Sequence, residues 1–176
     1  GEASQALLRR TGDESFLAST INILGDAYRS YGNCGRAKAY YEESLSLGER
    51  VGDKVHVVEV FYNLGQVALV LGEAVEAAAY FDRCLRLGCE TGSTFLMAAD
   101  LAGIACVAEL VAQPATAARL LGAAHSLFDA SEGSLQPVDR VPVDKAERAA
   151  RAALGDAAFA AEVVTGHTLT LDEAIA

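Results

Sequence analysis

The sequence predicts an all-α fold, a solenoid of antiparallel helical hairpins that ends in a C-terminal helical cap. Residues 39–53, AYYEESLSLGERVGD, return forty residues later as AYFDRCLRLGCETGS, residues 79–93. A repeat of this length is typical of stacked helical hairpins. All three prolines lie beyond residue 113, so the preceding residues can form uninterrupted helices.

Composition argues against several classes of partner. The chain of 176 residues carries a formal net charge of −10, which disfavours contact with a phosphate backbone or an anionic membrane. It contains no uncharged apolar run long enough to span a bilayer, and no basic segment followed by an apolar core at its start. We therefore expect no direct nucleic-acid contact, no membrane insertion and a cytoplasmic location.

The four cysteines are expected to be structural. They form no CxxC pair, and no histidine lies at metal-ligand spacing from them. Isolated cysteines are usually small buried residues, and they stay reduced in the cytosol. The cysteines are Cys34, Cys84, Cys89 and Cys106.

The start of the chain repeats part of a hairpin. Within residues 3–13, Leu7 matches Leu47 and Gly12 matches Gly52 at the same offset of forty. Residues 1–13 are therefore predicted to be the second helix of a truncated repeat, and the chain to be a fragment of a longer protein.

Two complete hairpins follow, at 14–53 and 54–93. Apolar residues at helical spacing predict helices over 14–31, about 36–50, 55–71 and 74–91. Turns are predicted at Gly32-Asn33 and Gly72-Glu73, because glycine and asparagine interrupt the pattern there.

A diverged third hairpin is predicted for 94–131, and a loop with a helical cap for 132–176. Pro114 would begin the second helix of this hairpin, a position that tolerates proline. The other two prolines, Pro137 and Pro142, predict a loop over 131–144. Short helices are then expected at 144–154, at 157–164 with Gly166 as terminator, and from Leu171 with Thr170 or Asp172 as cap.

The repeats resemble the tetratricopeptide (TPR) pattern. The Leu-Gly pair, the early alanine and the following bulky residue of that pattern occur as Leu24-Gly25 and Leu64-Gly65, as Ala37, Ala77 and Ala117, and as Tyr41, Phe81 and Leu121. The period is forty instead of about thirty-four, and Ile21, Phe61 and Leu101 replace the usual tryptophan. The resemblance implies close helix crossing at the small residues, with aromatic rings filling the gap between neighbouring hairpins.

The C-terminal third resembles the sensor arm of large bacterial LuxR-type and STAND-class regulators. The motifs are AARLLGAA at 117–124, a loop with Pro137, ALGDAAF at 153–159 and the segment 169–174. The resemblance implies a parent protein with an upstream nucleotide-binding module and often a DNA-binding helix-turn-helix downstream. Neither a GxxxxGK[ST] motif nor a basic recognition helix occurs in these residues.

In TPR-like stacks the first helix of each hairpin lines a concave groove, which is where a protein or small-molecule effector is expected to bind. The predicted groove residues are Asn22, Asp26, Arg29, Glu59, Tyr62, Asn63 and Gln66, with Ala99, Ala102, Cys106 and Glu109 extending the groove into the third hairpin. Arg29 could pair with a ligand carboxylate, and Asn63 could hydrogen-bond a peptide backbone. Alternatively these are solvated helix faces, with Arg29 and Glu59 paired to each other or to nothing.

No residue pattern predicts catalysis, a metal or a cofactor. His56, His125 and His167 are far apart in sequence, and the carboxylates that occur in pairs are adjacent and would diverge on a helix. The predicted function is a non-catalytic ligand- or protein-binding region of a bacterial transcriptional regulator. The alternative is a stand-alone TPR adaptor that binds a peptide or a partner protein. A homodimer could form through the exposed first hairpin.

Overall fold

The computed structural model describes residues 14–131 and 134–175, and these residues form helices joined by short connections. They confirm the predicted all-α, TPR-like solenoid. The predicted helix at residues 1–13 lies outside the described residues. The helices are α1 (Glu14–Ser30), α2 (Cys34–Val51), α3 (Lys54–Leu71), α4 (Ala74–Thr91), α5 (Thr94–Leu110), α6 (Pro114–Ser131), α7 (Pro137–Leu154), α8 (Asp156–His167) and α9 (Leu171–Ile175).

The turns between α1 and α6 recur every twenty residues. Each contains a residue with positive φ, at Gly32, Gly52, Gly72, Gly92 and Ala112. In the first turn, the Asn33 N–H donates to the Tyr28 carbonyl at 2.8 Å, which closes the end of the helix. One unit is thus either a helix of 17 residues with a three-residue turn or a helix of 18 residues with a two-residue turn, and two units give the period of forty.

Glycines allow aromatic rings to enter the helix crossings. A Cβ built on Gly25 would lie 2.5 Å from the Tyr41 ring, and one on Gly65 would lie 2.6 Å from the Phe81 ring. Phe81 also faces Gly103 of the next hairpin, where a built Cβ would lie 2.5 Å from the ring. The aromatics fill both kinds of contact: Tyr41 also clusters with Val60 and Leu64 of the next hairpin, as Phe81 does with Gly103.

Helix α3 is the most deeply enclosed element of the described residues. Among the described helices it is the one long and apolar enough to cross a membrane, but 72% of its residues are buried inside the protein. Its neighbours are α2, α4 and α5. An apolar helix packed on several sides is what the core of a helical stack requires.

The predicted loop over 131–144 is wrong from Pro137 onward, because α7 begins there. Pro137 occupies the first turn, where its missing N–H would have no helical partner. Pro142 lies inside the helix and removes only the hydrogen bond to the Val138 carbonyl. Gly166 also does not terminate a helix; it lies within α8, buried against α6.

The end of the chain contains a reciprocal cap. Thr170 Oγ1 accepts from the Glu173 N–H at 3.3 Å, and the Thr170 N–H donates to Glu173 Oε2 at 2.8 Å. This capping box starts α9 at the residue where the sequence predicts it. Thr170, one of the two expected caps, therefore fills that role.

Three of the four cysteines are buried as expected, but Cys89 is exposed. Its Sγ lies 4.0 Å from the Met97 Sδ across the turn between α4 and α5. The sequence prediction of four buried cysteines is therefore wrong at this position.

Helix α7 lies against the face formed by α1, α3 and α5, the first helices of the three hairpins, which we call the inner face. It packs on α5 and α6, touches α3, and reaches α1 through an ion pair between Asp139 and Arg29. Helix α8 packs mainly on α6. The predicted groove is therefore covered by a helix of the same chain.

Candidate functional site on the inner face

Five of the seven predicted groove residues line one cavity of about 220 Å³, which we call the inner cavity. It lies between the inner face and the start of α7. The five are Asp26, Arg29, Glu59, Tyr62 and Asn63. The remaining walls are largely apolar and include Phe95, Leu96, Ala99 and Leu135. The cavity thus combines a polar side from α1 and α3 with an apolar side from α5 and the approach to α7.

Arg29 is engaged by a partner that the sequence did not suggest. Its Nη1 pairs with Asp139 Oδ1 of α7, and the two side chains are only 8% and 7% exposed. Burial would lower the pKa of Arg29, but the Asp139 carboxylate outweighs burial and raises it above the ordinary value. The expectation that Arg29 pairs with Glu59 or with nothing is wrong. The inner face binds a carboxylate, and that carboxylate belongs to the same chain.

Two asparagines tie α1 to α3 beside the cavity. Asn63 Nδ2 donates to Asn22 Oδ1 at 3.2 Å, and Asn22 Nδ2 donates to Glu59 Oε1 at 3.4 Å. Both amides are buried, and Asn22 does not line the cavity. Partial burial raises the pKa of Glu59, which lies at the edge of the site. The network positions Glu59, and it occupies the Asn63 donor that was expected to meet a peptide.

Asp26 is held by the second helix of its own hairpin. The Tyr41 hydroxyl donates to Asp26 Oδ1 at 2.7 Å. Burial raises the pKa of Asp26, and this effect exceeds the lowering by Tyr41 and Arg29. Asp26 and Glu59 therefore present acceptors for N–H groups close to the Arg29 guanidinium. A helix N-terminus offers such N–H groups with partial positive charge.

Several buried polar atoms near this interface make no hydrogen bond within the described residues. They are Arg29 Nε, Tyr62 Oη and Gln66 Oε1. Burial raises the pKa of the Tyr62 hydroxyl well above its ordinary value. Gln66 is fully buried and does not line the inner cavity. Unpaired buried groups each cost roughly 1–3 kcal/mol, so α7 satisfies the inner face incompletely.

The third-hairpin residues expected in the groove are divided among three cavities. Ala99 lines the inner cavity, Ala102 lines a cavity of about 400 Å³, and Cys106 and Glu109 line a small one of about 60 Å³. All three cavities also border α7 or the residues leading into it. Helix α7 therefore faces that part of the inner face across these cavities.

Sequence reasoning missed Asp139, Phe95 and Leu135. Asp139 and Leu135 fall in the segment read as a loop. The spacing of Val143, Ala146 and Ala150 is helical, and together with a proline at the first position of a helix it was the signal that could have revealed α7.

Of two histidine arrangements that resemble reactive sites, Ser44 with His56 is structural, whereas His125 and His167 both line the cavity of about 400 Å³. Ser44 Oγ lies 2.8 Å from His56 Nε2, but Ser44 is fully buried and donates to the Ala18 carbonyl at 2.8 Å. No substrate can reach that hydroxyl. His125 and His167, far apart in sequence, have ring centroids 6.2 Å apart. Within residues 14–131 and 134–175, no three His, Cys, Asp or Glu side chains group as metal ligands.

Comparison with known families assigns the repeats. Residues 15–90 match the tetratricopeptide repeat family, so α1 to α4 form a TPR-like repeat region. Such repeats generally bind proteins or peptides and are generally non-catalytic. The matched region supplies Asp26, Arg29 and Glu59 of the inner cavity. No curated protein matches the chain.

Proposed function

We propose that this chain is a non-catalytic sensor or interaction region of a cytoplasmic bacterial transcriptional regulator, and that it binds a partner segment or effector on the inner face. The observation that carries the proposal is the convergence of Asp26, Arg29, Glu59, Tyr62 and Asn63 around one cavity. A peptide binds in one orientation when charged groups of both signs and an amide lie beside an apolar wall, as they do in this cavity.

The regulator part of the proposal is supported by the motifs of the C-terminal third. AARLLGAA at 117–124 and ALGDAAF at 153–159 resemble the sensor arms of LuxR-type and STAND-class proteins. Sequencing the parent gene tests this part alone. We expect a nucleotide-binding motif upstream or a helix-turn-helix downstream, and absence of both would remove the regulator assignment without affecting the binding face.

Binding on the inner face is tested with an array of synthetic peptides that vary in charge and helical propensity. We expect peptides with an acidic residue in a helical first turn to bind. Glu59→Gln should weaken them about threefold to fivefold, because the variant loses a charge that favours a helix N-terminus. Glu42→Gln, the same change on an exposed residue of α2, is the matched control and should bind as the wild type does.

Melting curves of both variants should match the wild type. An array on which no peptide binds, or equal weakening by the two variants, would contradict the proposal.

A further inference from the structure

We infer that α7 is a resident ligand of the inner face, and that the site accepts a partner's amphipathic helix with an acidic first-turn residue in its place. This inference rests on the proposed function, because it specifies the partner of the same face. The chemistry of that partner can be read from the helix that occupies the site.

Helix α7 presents a defined stripe to the inner face. Asp139, Val143, Ala146 and Ala150 are buried at spacings of four, three and four residues, which is one face of a helix. Asp139 is the third residue of α7, where an acidic side chain suits the helix dipole. A competing helix needs an Asp or Glu in this first turn, followed by small apolar residues at the same spacings.

The acceptors of the inner cavity suit the same end of a helix. Asp26 and Glu59 line the cavity together with Gln136, the residue that directly precedes α7. Carboxylates near a helix N-terminus interact favourably with its unpaired N–H groups. Arg29 then binds the first-turn carboxylate, and the acidic pair faces the N-terminus. The inner face therefore has complementary groups for the start of a helix, whichever chain provides it.

Helix α7 packs on its neighbours through small side chains and borders several cavities, although a cavity of about 610 Å³ also borders α4, α5 and α6 of the repeats. Cavities of about 220, 400 and 60 Å³ all border α7 or the residues that lead into it. Its buried apolar side chains are one valine and two alanines, whereas Tyr41 and Phe81 are fully enclosed in the hairpins. Small side chains beside these open cavities leave room for contacts that a larger partner helix could make.

The neighbours of α7 are held together without it. Gly122 of α6 and Gly166 of α8 bring the two helices into backbone contact, and Arg119 Nη2 pairs with Glu162 Oε2 at 2.7 Å. Gly155 joins α7 to α8 with φ 78° and ψ 157°, a conformation open essentially to glycine alone. An outward movement of α7 about Gly155, with α8 remaining on α6, would break the contacts of Arg151 with Asp156 and with the Phe159 ring.

A competition experiment in trans tests the inference. The probe is a fluorescein-labelled peptide of residues 134–154, SLQPVDRVPVDKAERAARAAL, added to the whole chain. In the wild type, the tethered α7 competes at an effective concentration of about millimolar, and a peptide with the same sequence has no advantage over it. This peptide should therefore bind the wild type more weakly than array peptides that fit the face better than α7 does. In Asp139→Asn the resident helix loses its ion pair, and we expect the peptide to bind at least about tenfold more tightly than to the wild type.

Two matched controls identify the contact. Asp144→Asn makes the same change on α7 outside the buried stripe and should bind the peptide as weakly as the wild type does. A peptide that itself carries Asp139→Asn should lose the gain on the Asp139→Asn protein, because it has no carboxylate for Arg29. Equal binding of both peptides, or no gain in an Asp139→Asn protein that retains its helical circular dichroism, would overturn the inference.

Hydrogen exchange of the wild type gives a second test that needs no variant. Amides of residues 138–145, proline excepted, should exchange at least about tenfold faster than the slowest amides of α8. Equal protection in α7 and α8 would show that α7 is a fixed part of the core. Peptide-array binding without either of these effects would leave the proposed function intact and overturn only the resident-ligand inference. Binding of the 134–154 peptide to the Asp139→Asn protein, with no binding on the array, would leave the resident-ligand inference intact and overturn the proposed function.

Discussion

Asp100 is a buried carboxyl group that lies close to the Cys84 thiol. It is fully buried in α5, and neither carboxylate oxygen makes a hydrogen bond within the described residues. Burial raises its pKa to about 8, so Asp100 retains its proton in the folded protein at neutral pH. In the unfolded chain the same group ionises near pH 4. Stability contributed by the protonated form is complete below about pH 4 and is lost as the pH rises toward about 8.

Asp100→Asn should remove this pH dependence, because the amide does not ionise. Near pH 8 the variant should be more stable than the wild type, with a free energy of unfolding roughly 3–5 kcal/mol larger, and near pH 4 the two should be similar. Urea denaturation across this range measures the difference. Asp82→Asn changes an exposed aspartate paired with Arg86 and should keep the wild-type slope. Parallel slopes for Asp100→Asn and the wild type would contradict the assignment.

Ala112 occupies a turn position that favours glycine. Its φ of 57° is the one positive value at a non-glycine residue within the described ranges, and the four preceding turns have glycine at the equivalent place. Alanine in this conformation costs roughly 1–2 kcal/mol of backbone strain. Glycine adopts the conformation freely, but it loses more conformational entropy than alanine when the chain folds.

Ala112→Gly should therefore stabilise the protein by about 0.5–1 kcal/mol. The reciprocal change, Gly92→Ala, should destabilise it by about 1 kcal/mol, because the residue there has φ 71°. Chemical denaturation of both variants gives the comparison. A loss of stability in Ala112→Gly would show that the alanine methyl group makes a contact that outweighs the backbone strain.

The crossing of α3 and α4 depends on the absence of a side chain at Gly65. The Phe81 ring is fully buried and is flanked by Gly65 on one side and by Gly103 on the other. A ring enclosed in this way has no space into which it can move. The glycines have a packing role, although glycine weakens a helix by about 1 kcal/mol relative to alanine.

Gly65→Ala should destabilise the protein by about 1–3 kcal/mol, because overpacking outweighs the gain in helix propensity. Gly35→Ala is the matched control. Gly35 lies in the first turn of α2 with no atom within 4 Å of a built Cβ, so this change should be neutral or slightly stabilising. Thermal unfolding of the pair measures the difference, and a stable Gly65→Ala protein would mean that the Phe81 ring can shift.

Prediction from sequence succeeds for the helices of the repeats and for the second half of α7, predicted at 144–154, but fails for the first half of α7. In the repeats, apolar spacing and turn glycines indicate the same boundaries, so α3 is observed within one residue of its predicted start. In the first half of α7, the two prolines predict a loop, although Val143 lies at helical spacing from Ala146 and Ala150. Pro137 is harmless at the first position of a helix, and Pro142 removes a single hydrogen bond.

The inner face was predictable in part for a similar reason. Asp26, Glu59 and Asn63 follow from the register of the repeats, because their positions on the first helices are set locally. The pairing of Arg29 with Asp139 was not predictable, because it joins residues 110 positions apart. His125 and His167 meet for the same reason, through the packing of α8 on α6. Such contacts depend on the path of the chain and not on any local pattern.

Across the whole molecule, the contact of α6 with α8 is the tightest backbone approach in the described residues. A Cβ built on Gly166 would lie 1.9 Å from the Arg119 carbonyl oxygen, and one on Gly122 would lie 2.1 Å from the Val163 carbonyl oxygen. Backbone atoms cannot give way as a flexible side chain can. The C-terminal helices are thus attached through two glycines, while the repeats stack through side chains.

Gly166→Ala should detach α8 from α6, with a destabilisation of about 3 kcal/mol or more. In a stack whose units contact only their neighbours, the loss should be local. Hydrogen exchange should show that α8 and α9 lose protection while α1 to α4 keep theirs. Equal loss throughout α1 to α4 would mean that the described chain unfolds as one cooperative unit.

The twenty-residue spacing of the turns also constrains how such a chain can change length during evolution. Consecutive helices alternate between the inner face and the outside, so Tyr62 of α3 is buried while Asp82, twenty positions later, is exposed. Deletion of a single helix with its turn would leave every remaining turn in register. It would nevertheless bring an outer helix to the inner side and place residues like Asp82 where the core needs apolar groups. Insertions and deletions that preserve the stack must therefore add or remove a pair of helices, that is, forty residues at a time.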